Sequence, residues 1–508
     1  MRSKAKRANI GKTPGHSSLF RQRLFTGNLI FIGRRAAVHS AAFRQTPFPG
    51  TYTRLSAWPG NSSLPLRLPL PFSATALALL AMGFVLVGLV SSNLLMSMGT
   101  IGLFMLALLQ LDLRQKIKRF LHDPALLGLT ALFFLYLFGG IGTQDQDFWL
   151  DKVRIKLPFA ILPFAFVALP DFSPKTLRNL MAAFVGITTL SVLVVLFRYA
   201  IQPAEFAQPY IQGMVMPTPL NHIRYSLVVA FGMAVSVWLA RPSEQVPTAV
   251  LQMAGRRFPS RWLWFLPALF LLGFLHILAV RSGLLAAYLV VGYLLIHAMV
   301  NRRRYALGTL VIVGALAAGW AAQEYVPTLR NRISYARYDL EQYFSGEVNP
   351  DLSDAKRIGS IQAGLQLLAE NPLTGVGIGN IKPALKAVYQ EHFPGLVENN
   401  PLPHNQFVLV AACTGLIGLA TLLWALAAPF FAPGMLHNTL FISLQLVMLP
   451  SMLTEATLET QYGLTIYLFF TLLFLRYWSV APAVKAADTN LEKPKRVPAS
   501  ATPWQKDA

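Results

Sequence analysis

The 508-residue chain is short of charge, almost free of cysteine, and has no acidic residue before Asp112. Charged residues make up 13% of it, where a soluble domain needs about a quarter to cover its surface. A soluble globular fold is therefore excluded, and a polytopic membrane protein is expected. The single cysteine, Cys413, lies in an apolar run. That excludes an internal disulfide and a thiolate zinc site, and reads as a small buried hydrophobe. What fills the place of charge is hydrocarbon, with 54% hydrophobic residues and a mean hydropathy of +0.48.

The net charge of +22 is unevenly placed. Residues 1–70 carry many Arg and Lys, no acid, and scattered Pro, Ser and Gly. Such a segment buries too little apolar surface to fold alone and reads as a basic, disordered extension. It suits a cytoplasmic tail near anionic lipid or a stretch upstream of the true start, and it also has the composition of a transit peptide. No part of the mechanism is drawn from it.

A spanning helix needs about twenty mostly apolar residues. Candidate spans fall at 71–91, 93–111, 124–142, 157–170, 179–200, 224–240, 262–280, 283–300, 305–323, 405–429, 438–454 and 461–478. The expected fold is all-α, with about twelve transmembrane helices and a long helical loop. Its parts are the extension 1–70, spans 1–9 over 71–323, the loop 324–404, spans 10–12 over 405–478, and a tail 479–508. Basic clusters at 114–119, Lys175 with Arg178, Arg241 with Arg256 and Arg257, and Arg302 to Arg304 fall in every second connection. Those connections and both termini are expected in the cytoplasm, with 143–156 an exception. The opposite face then carries 143–156, 201–223, the turn at Arg281, the long loop 324–404, and the turn near Glu455 and Glu459.

Chemistry is sought on that face. Arg281 begins a tight Arg-Ser-Gly turn, and its ordinary alternative is snorkelling to the headgroups. In the long loop, Ser353-Asp354-Ala355-Lys356-Arg357 opens a helical run stopped at Asn371-Pro372, with Ser353 as candidate N-cap. Gly375-Val376-Gly377-Ile378-Gly379-Asn380 lacks the spacing and flanking strand of a dinucleotide fingerprint. It reads as a turn passing close to other elements, or as a nest of N–H groups facing an anion. His404-Asn405 follows, at the mouth of the next span. Imidazole titrates near neutrality and suits proton transfer, worth roughly 10²–10⁴-fold. Guanidinium forks suit a diphosphate without a metal. The plain alternative for His404 is a capping or interfacial residue. Arg224, after Asn221-His222, is a further candidate cation. Lys156 is read as an interface anchor, and Tyr225, His276 and Glu459 as packing residues.

In order and spacing, these motifs resemble the O-antigen ligase and polymerase superfamily of bacterial membrane glycosyltransferases. An Arg–small–Gly turn is followed by Arg357 and a helix ending in Asn-Pro. Gly-x-Gly-x-Gly comes next, then His-Asn, then Gly-Leu-Ile-Gly at 415–418. The resemblance covers roughly 220–470, and departs from the family at Val280, Ile361 and Thr414. It implies transfer of a glycan from undecaprenyl diphosphate to an acceptor hydroxyl, with lipid A-core favoured over a growing glycan or a protein. The place would be the periplasmic face of the bacterial inner membrane. By motif, His404 falls at the catalytic position and Arg281 and Arg357 at the diphosphate-binding ones; Arg224, as a third cation, and Asn405 are added as candidate substrate-binding residues. No cofactor, metal or nucleic acid is expected.

Two rival features stand beside it. Asp145-Gln146-Asp147 has the form that holds a divalent cation against a sugar diphosphate. A transporter would show ionisable groups near the midplane and internal repeats, and the chain shows neither. A non-catalytic assembly scaffold would tolerate loss of His404.

Overall fold

Apolar segments that find no water for their backbone N–H and C=O groups satisfy them internally as helices. The computed structural model follows that rule. It describes residues 73–109, 113–201, 216–241, 250–253, 256–303 and 353–478, with scattered positions between 305 and 341. These all fall in the unit Ser56–Ala508. The basic extension 1–70, the tail 479–508, most of the span expected at 305–323 and the loop up to 352 lie outside the described residues.

Short polar residues start most helices, because their side chains accept the first free N–H groups. Ser73 caps α1 (Ala74–Ser91), Ser92 caps α2 (Asn93–Leu108), and Asp123 caps α4 (Pro124–Phe138). Between the last two, α3 (Leu113–Leu121) is bent 115° from α2. Asp145 caps α5 (Gln146–Ala168), then come α6 (Pro174–Ile201) and α7 (His222–Leu239), the latter capped by Asn221. α8 (Phe265–Leu278) and α9 (Arg281–Arg302) precede the loop helices α10 (Ser353–Glu370) and α11 (Ile381–His392). Asn405 caps α12 (Gln406–Phe431), Asn438 caps α13 (Thr439–Thr454), and α14 (Gln461–Trp478) ends the described chain. Ser353 is the first residue of α10 rather than its cap, and the helix stops before Asn371-Pro372 as expected.

Among the described residues six segments are long and apolar enough to cross a membrane. They are Ala74–Ser91, Pro174–Ile201, His222–Leu239, Ser260–Leu278, Arg281–Asn301 and Gln406–Phe431. The bent pair α2 and α3 makes a seventh if counted as one span. α4 and α13 are apolar but shorter. The span expected at 157–170 falls mostly in the longer α5, which ends at Ala168 and whose first half carries Lys152, Arg154 and Lys156. One departure from an all-α chain occurs among the described residues: an antiparallel hairpin, β1 (Val250–Met253) with β2 (Arg256–Pro259).

α7 and α14 form the centre of the bundle, with side chains buried on nearly every side. The Phe470 ring meets Phe231 at 4.8 Å and Phe184 at 4.9 Å, edge to face. Outer helices keep apolar side chains on the surface, such as Leu190, Leu266 and Ile296. An all-round apolar helix belongs in a core or in lipid. This central position matters for function, since the start of α7 and the turn before α14 lie directly under the candidate site.

The span expected at 405–429 is not one continuous helix. α12 breaks at Gly415, which takes φ 66° and ψ −164°. The loop strand 371–378 is stitched into the break. Val376 and Gly377 N–H donate to Ala412 and Cys413 carbonyls, while Leu416 N–H donates back to Pro372. Ile378 N–H reaches Gly139 O at the end of α4. A Cβ on Gly415 would lie 2.1 Å from Leu373 O, and one on Gly375 2.4 Å from Cys413 C. The close-approach reading of the glycine-rich stretch is thus the correct one. An anion nest is overturned there, because the N–H groups of residues 376 to 378 are spent on carbonyls.

Candidate functional site

Four helices, α9, α10, α12 and α13, meet at one end of the bundle, and each brings a charged or titratable side chain on or beside its end. α8 ends at Ala279 in the left-handed region (φ 51°), Val280 is extended, and Arg281 is the first residue of α9. Gly283 permits this turn to sit against α7, since a Cβ there would lie 2.4 Å from Ser226 Cβ. α10 brings Asp354 and Arg357 on its first turns. His404 precedes the cap of α12, and Glu455 follows α13.

The side chains form a continuous chain of polar contacts, with ion pairs from Arg281 through to Glu455. Arg281 Nη1 lies 2.6 Å from Asp354 Oδ2, and Asp354 Oδ1 lies 3.4 Å from Arg357 Nη1. Arg357 Nη2 donates to Glu455 Oε1 at 3.0 Å, and Glu455 Oε2 lies 3.3 Å from His404 Nδ1. The sequence-expected His404, Arg281 and Arg357 are therefore brought together, through two carboxylates that the sequence reading did not assign to the site. His404 is 28% exposed and Arg281 55%, so both reach solvent, whereas the Glu455 side chain is only 10% exposed.

Burial works to raise the pKa of Glu455. The hydrogen bond and charge of His404, then the charges of Arg224 and Arg357, outweigh it and hold the carboxyl below its usual range. An ionised carboxylate has no proton to donate, so His404 Nδ1–H is the donor in this contact. In the neutral form of the ring, Nε2 then carries the lone pair and is the nitrogen able to accept a proton. The His404 backbone is fixed as well. Its N–H donates to Ser360 Oγ at 3.1 Å, and the buried Ser360 hydroxyl donates to Arg357 O.

Arg224 and Asn405 are placed differently from the other three. Arg224 is buried, with Nη2 donating to Ala456 O and Nε to Thr460 Oγ1, both at 3.3 Å. It thus supports the turn that carries Glu455. Its Nη1 has no hydrogen-bond partner among the described residues. Asn405 Oδ1 accepts the Phe407 and Val408 N–H groups, and Nδ2 donates to Leu453 O. Asn405 is a helix cap that also ties α12 to α13.

The same turn is held from below by a buried cluster. Lys156 Nζ lies 2.8 Å from Glu459 Oε1 and donates to Leu458 O; Lys152 lies 3.6 Å from Glu459 Oε2. Tyr136 donates its hydroxyl to Glu459, and Gln406 bonds both Glu459 and Leu458 N. Burial alone would raise the Glu459 pKa. Lys156 and Lys152, with the Lys156 and Tyr136 hydrogen bonds, bring it down to about 2. Lys156 is 2% exposed, so the interface-anchor reading is overturned. A buried carboxylate and a carbonyl oxygen hold it inside, where a snorkelling lysine would need a path to water.

Sequence reasoning missed Glu455, Asp354 and Ser360 as members of the site. His222, at the start of α7, also interacts electrostatically with Glu455, Arg357 and Arg224. The available signal was positional, because the turn around Glu455 had been counted on the same face as His404. Asp145 of the Asp-x-Asp triplet accepts Phe148 N–H as the cap of α5. A cavity of about 640 Å³ beside the Gly415 break is lined by Phe134, Phe138, Val376, Thr414 and Ile417 among others, and by no ionisable side chain.

Residues 266–423 match the family model described as O-Antigen ligase. The matched stretch contains Arg281, Asp354, Arg357 and His404, and it ends before Glu455. No curated protein matches the chain. The likeness over 266–423, with the apolar helices, points to a ligase- or polymerase-like glycosyltransferase of a bacterial membrane, using a lipid-linked glycan donor and a glycan acceptor.

Proposed function

We propose that the protein transfers a glycan from undecaprenyl diphosphate to an acceptor hydroxyl, with lipid A-core the favoured acceptor. The reaction takes place at the periplasmic face of the inner membrane, on a bundle of about twelve spans with the loop 324–404 outside. The observation that carries this reading is the His404–Glu455–Arg357–Asp354–Arg281 chain of contacts.

Each group has a part in the step. His404 Nε2 accepts the proton of the acceptor hydroxyl as its oxygen attacks the anomeric carbon. The bond from that carbon to the diphosphate oxygen breaks, and the electron pair leaves with the diphosphate. Arg281 and Arg357 stabilise the charge that gathers there, a task that asks for no metal. Direct displacement inverts the anomeric centre. Glu455 keeps the imidazole in the tautomer that the base needs and favours the imidazolium that forms, the logic of a carboxylate–histidine pair. Arg224 adds positive potential from beneath while holding the Glu455 turn. Asn405 fixes the start of α12 and so the backbone beside the base.

Purified protein supplied with a lipid-diphosphate glycan and separate acceptors (lipid A-core, a glycan chain, a protein) tests this reading. Product on one acceptor assigns the ligase, polymerase or protein-glycosylating role. His404→Ala is expected to lower transfer by roughly 10²–10⁴-fold, and EDTA to leave it intact. Full activity of His404→Ala would exclude the mechanism.

A further inference from the structure

Asp354 stands between the two arginines assigned to the diphosphate, with one carboxylate oxygen on each guanidinium. Arg357 is on the same helix, three residues on. Arg281 is 73 residues away in sequence, at the start of α9. Asp354 thus joins a loop helix to a spanning helix through the very groups that would meet the donor. Two guanidinium groups side by side repel, and a long arginine side chain that is 55% exposed has many rotamers open to it. A carboxylate between them offsets the repulsion and removes much of that freedom. Both contacts use an Nη1 atom, and a guanidinium has five N–H donors. Each arginine therefore keeps donors for a ligand while Asp354 stays in place.

We propose that Asp354 is a positioning residue: it holds Arg281 and Arg357 as one paired cradle for a lipid diphosphate and is retained when that group binds. The proposal rests on the assignment of both arginines to the donor. A single phosphate is met by one guanidinium fork, whereas a diphosphate spans two. The separation set by Asp354 is then a source of selectivity for diphosphate over monophosphate.

The test uses the full-length protein in lipid nanodiscs, with undecaprenyl diphosphate and undecaprenyl monophosphate as probes. Asp354→Asn is expected to weaken diphosphate binding about tenfold, the scale of one lost charged hydrogen bond. Monophosphate binding should change much less, so the preference for diphosphate collapses. Asp354→Glu, which keeps the charge one methylene further out, is expected to restore part of the preference. In transfer assays the same loss should appear in donor KM, with acceptor KM unchanged. Arg281→Gln should lose the preference to the same degree, and combining it with Asp354→Asn should add nothing.

Equal or tighter diphosphate binding by Asp354→Asn would overturn the proposal, since the carboxylate would then be a bystander or a competitor. If that variant does not fold, Asp354→Glu decides, and a wild-type preference there overturns it. Wild-type protein that binds no diphosphate removes the functional reading along with this one. A selective wild type beside an equally selective variant removes this one alone.

Discussion

Replacing Glu455 with glutamine isolates the contact on which the proposed base depends. The side chains are nearly isosteric, so packing of the turn is kept while charge is removed. Glu455 Oε2 faces His404 Nδ1 at 3.3 Å and Oε1 accepts from Arg357 at 3.0 Å. A hydrogen bond to a charged group is worth about 1.5–3 kcal/mol, and a side chain 10% exposed is weakly screened by solvent. Glutamine also presents an NH₂ group to Nδ1, which favours the tautomer with the proton on Nε2, where the base needs a lone pair. A loss of about 2–3 kcal/mol of transition-state stabilisation corresponds to roughly 30- to 150-fold in kcat/KM. The assay is steady-state transfer from a lipid-diphosphate glycan, with thermal unfolding as a control for folding. Glu455→Asp, which keeps the charge at a shorter reach, should fall between wild type and glutamine. Groups that act as a unit are not additive, so Glu455→Gln combined with His404→Ala should be no slower than His404→Ala alone. Activity of Glu455→Gln within threefold of wild type, or full additivity in the double variant, would refute the dyad.

Two further outcomes concern the scaffold. Gly415→Ala places a Cβ 2.1 Å from Leu373 O on a residue at φ 66°, so a loss of more than about 3 kcal/mol and a clear drop in Tm are expected. Gly186→Ala, with nothing within 4 Å of the added carbon, is its neutral control. The second concerns acid. Glu459 is held at about 2 in the folded chain, against about 4.3 for an unfolded glutamate. A depressed carboxylate stabilises the fold above its unfolded pKa, and that contribution is lost as pH falls through the folded one. Thermal stability in detergent should therefore decline between about pH 4.3 and 2 by a few kcal/mol, and Glu459→Gln should flatten the decline. A wild-type curve that is level across this window would show that the buried pair has been misjudged.

Much of the helical layout was legible because its causes are local. Asn371-Pro372 stops α10, and apolar runs at 74–91 and 174–201 leave few alternatives to a helix. His404, Arg281 and Arg357 were legible as candidates through motif order and a count of faces. Glu455 was not, although it was counted on the right face. It lies 51 residues from His404, beyond two complete helices, α12 and α13. Its role depends on which helix ends are lateral neighbours, and no period or composition records that. Lys156 was misread for a related reason. A lysine near the end of an apolar run looks like an anchor until another turn is known to fold inward and meet it. The close approach of the glycine-rich stretch was legible, but its carbonyl partners were not, because they belong to α4 and α12, distant in the chain.

Glu455 and Lys156 share one physical cause. His404 takes its backbone position from the cap at Asn405 beside it and from Ser360, 44 residues back. The carboxylate that faces its ring comes instead from the connection between α13 and α14. That connection is held by Arg224 from α7, Lys152 and Lys156 from α5, Tyr136 from α4, and Gln406 from α12. Four helices must therefore be docked before Glu455 can face the imidazole. Glu455, the carboxylate that faces the imidazole, is thus anchored in a turn whose side chains are mostly buried. On this arrangement, substitutions in the exposed parts of α10 and α11 should alter acceptor use. Substitutions in the buried Lys156–Glu459 cluster should instead alter the base itself, although none of those side chains touches a substrate.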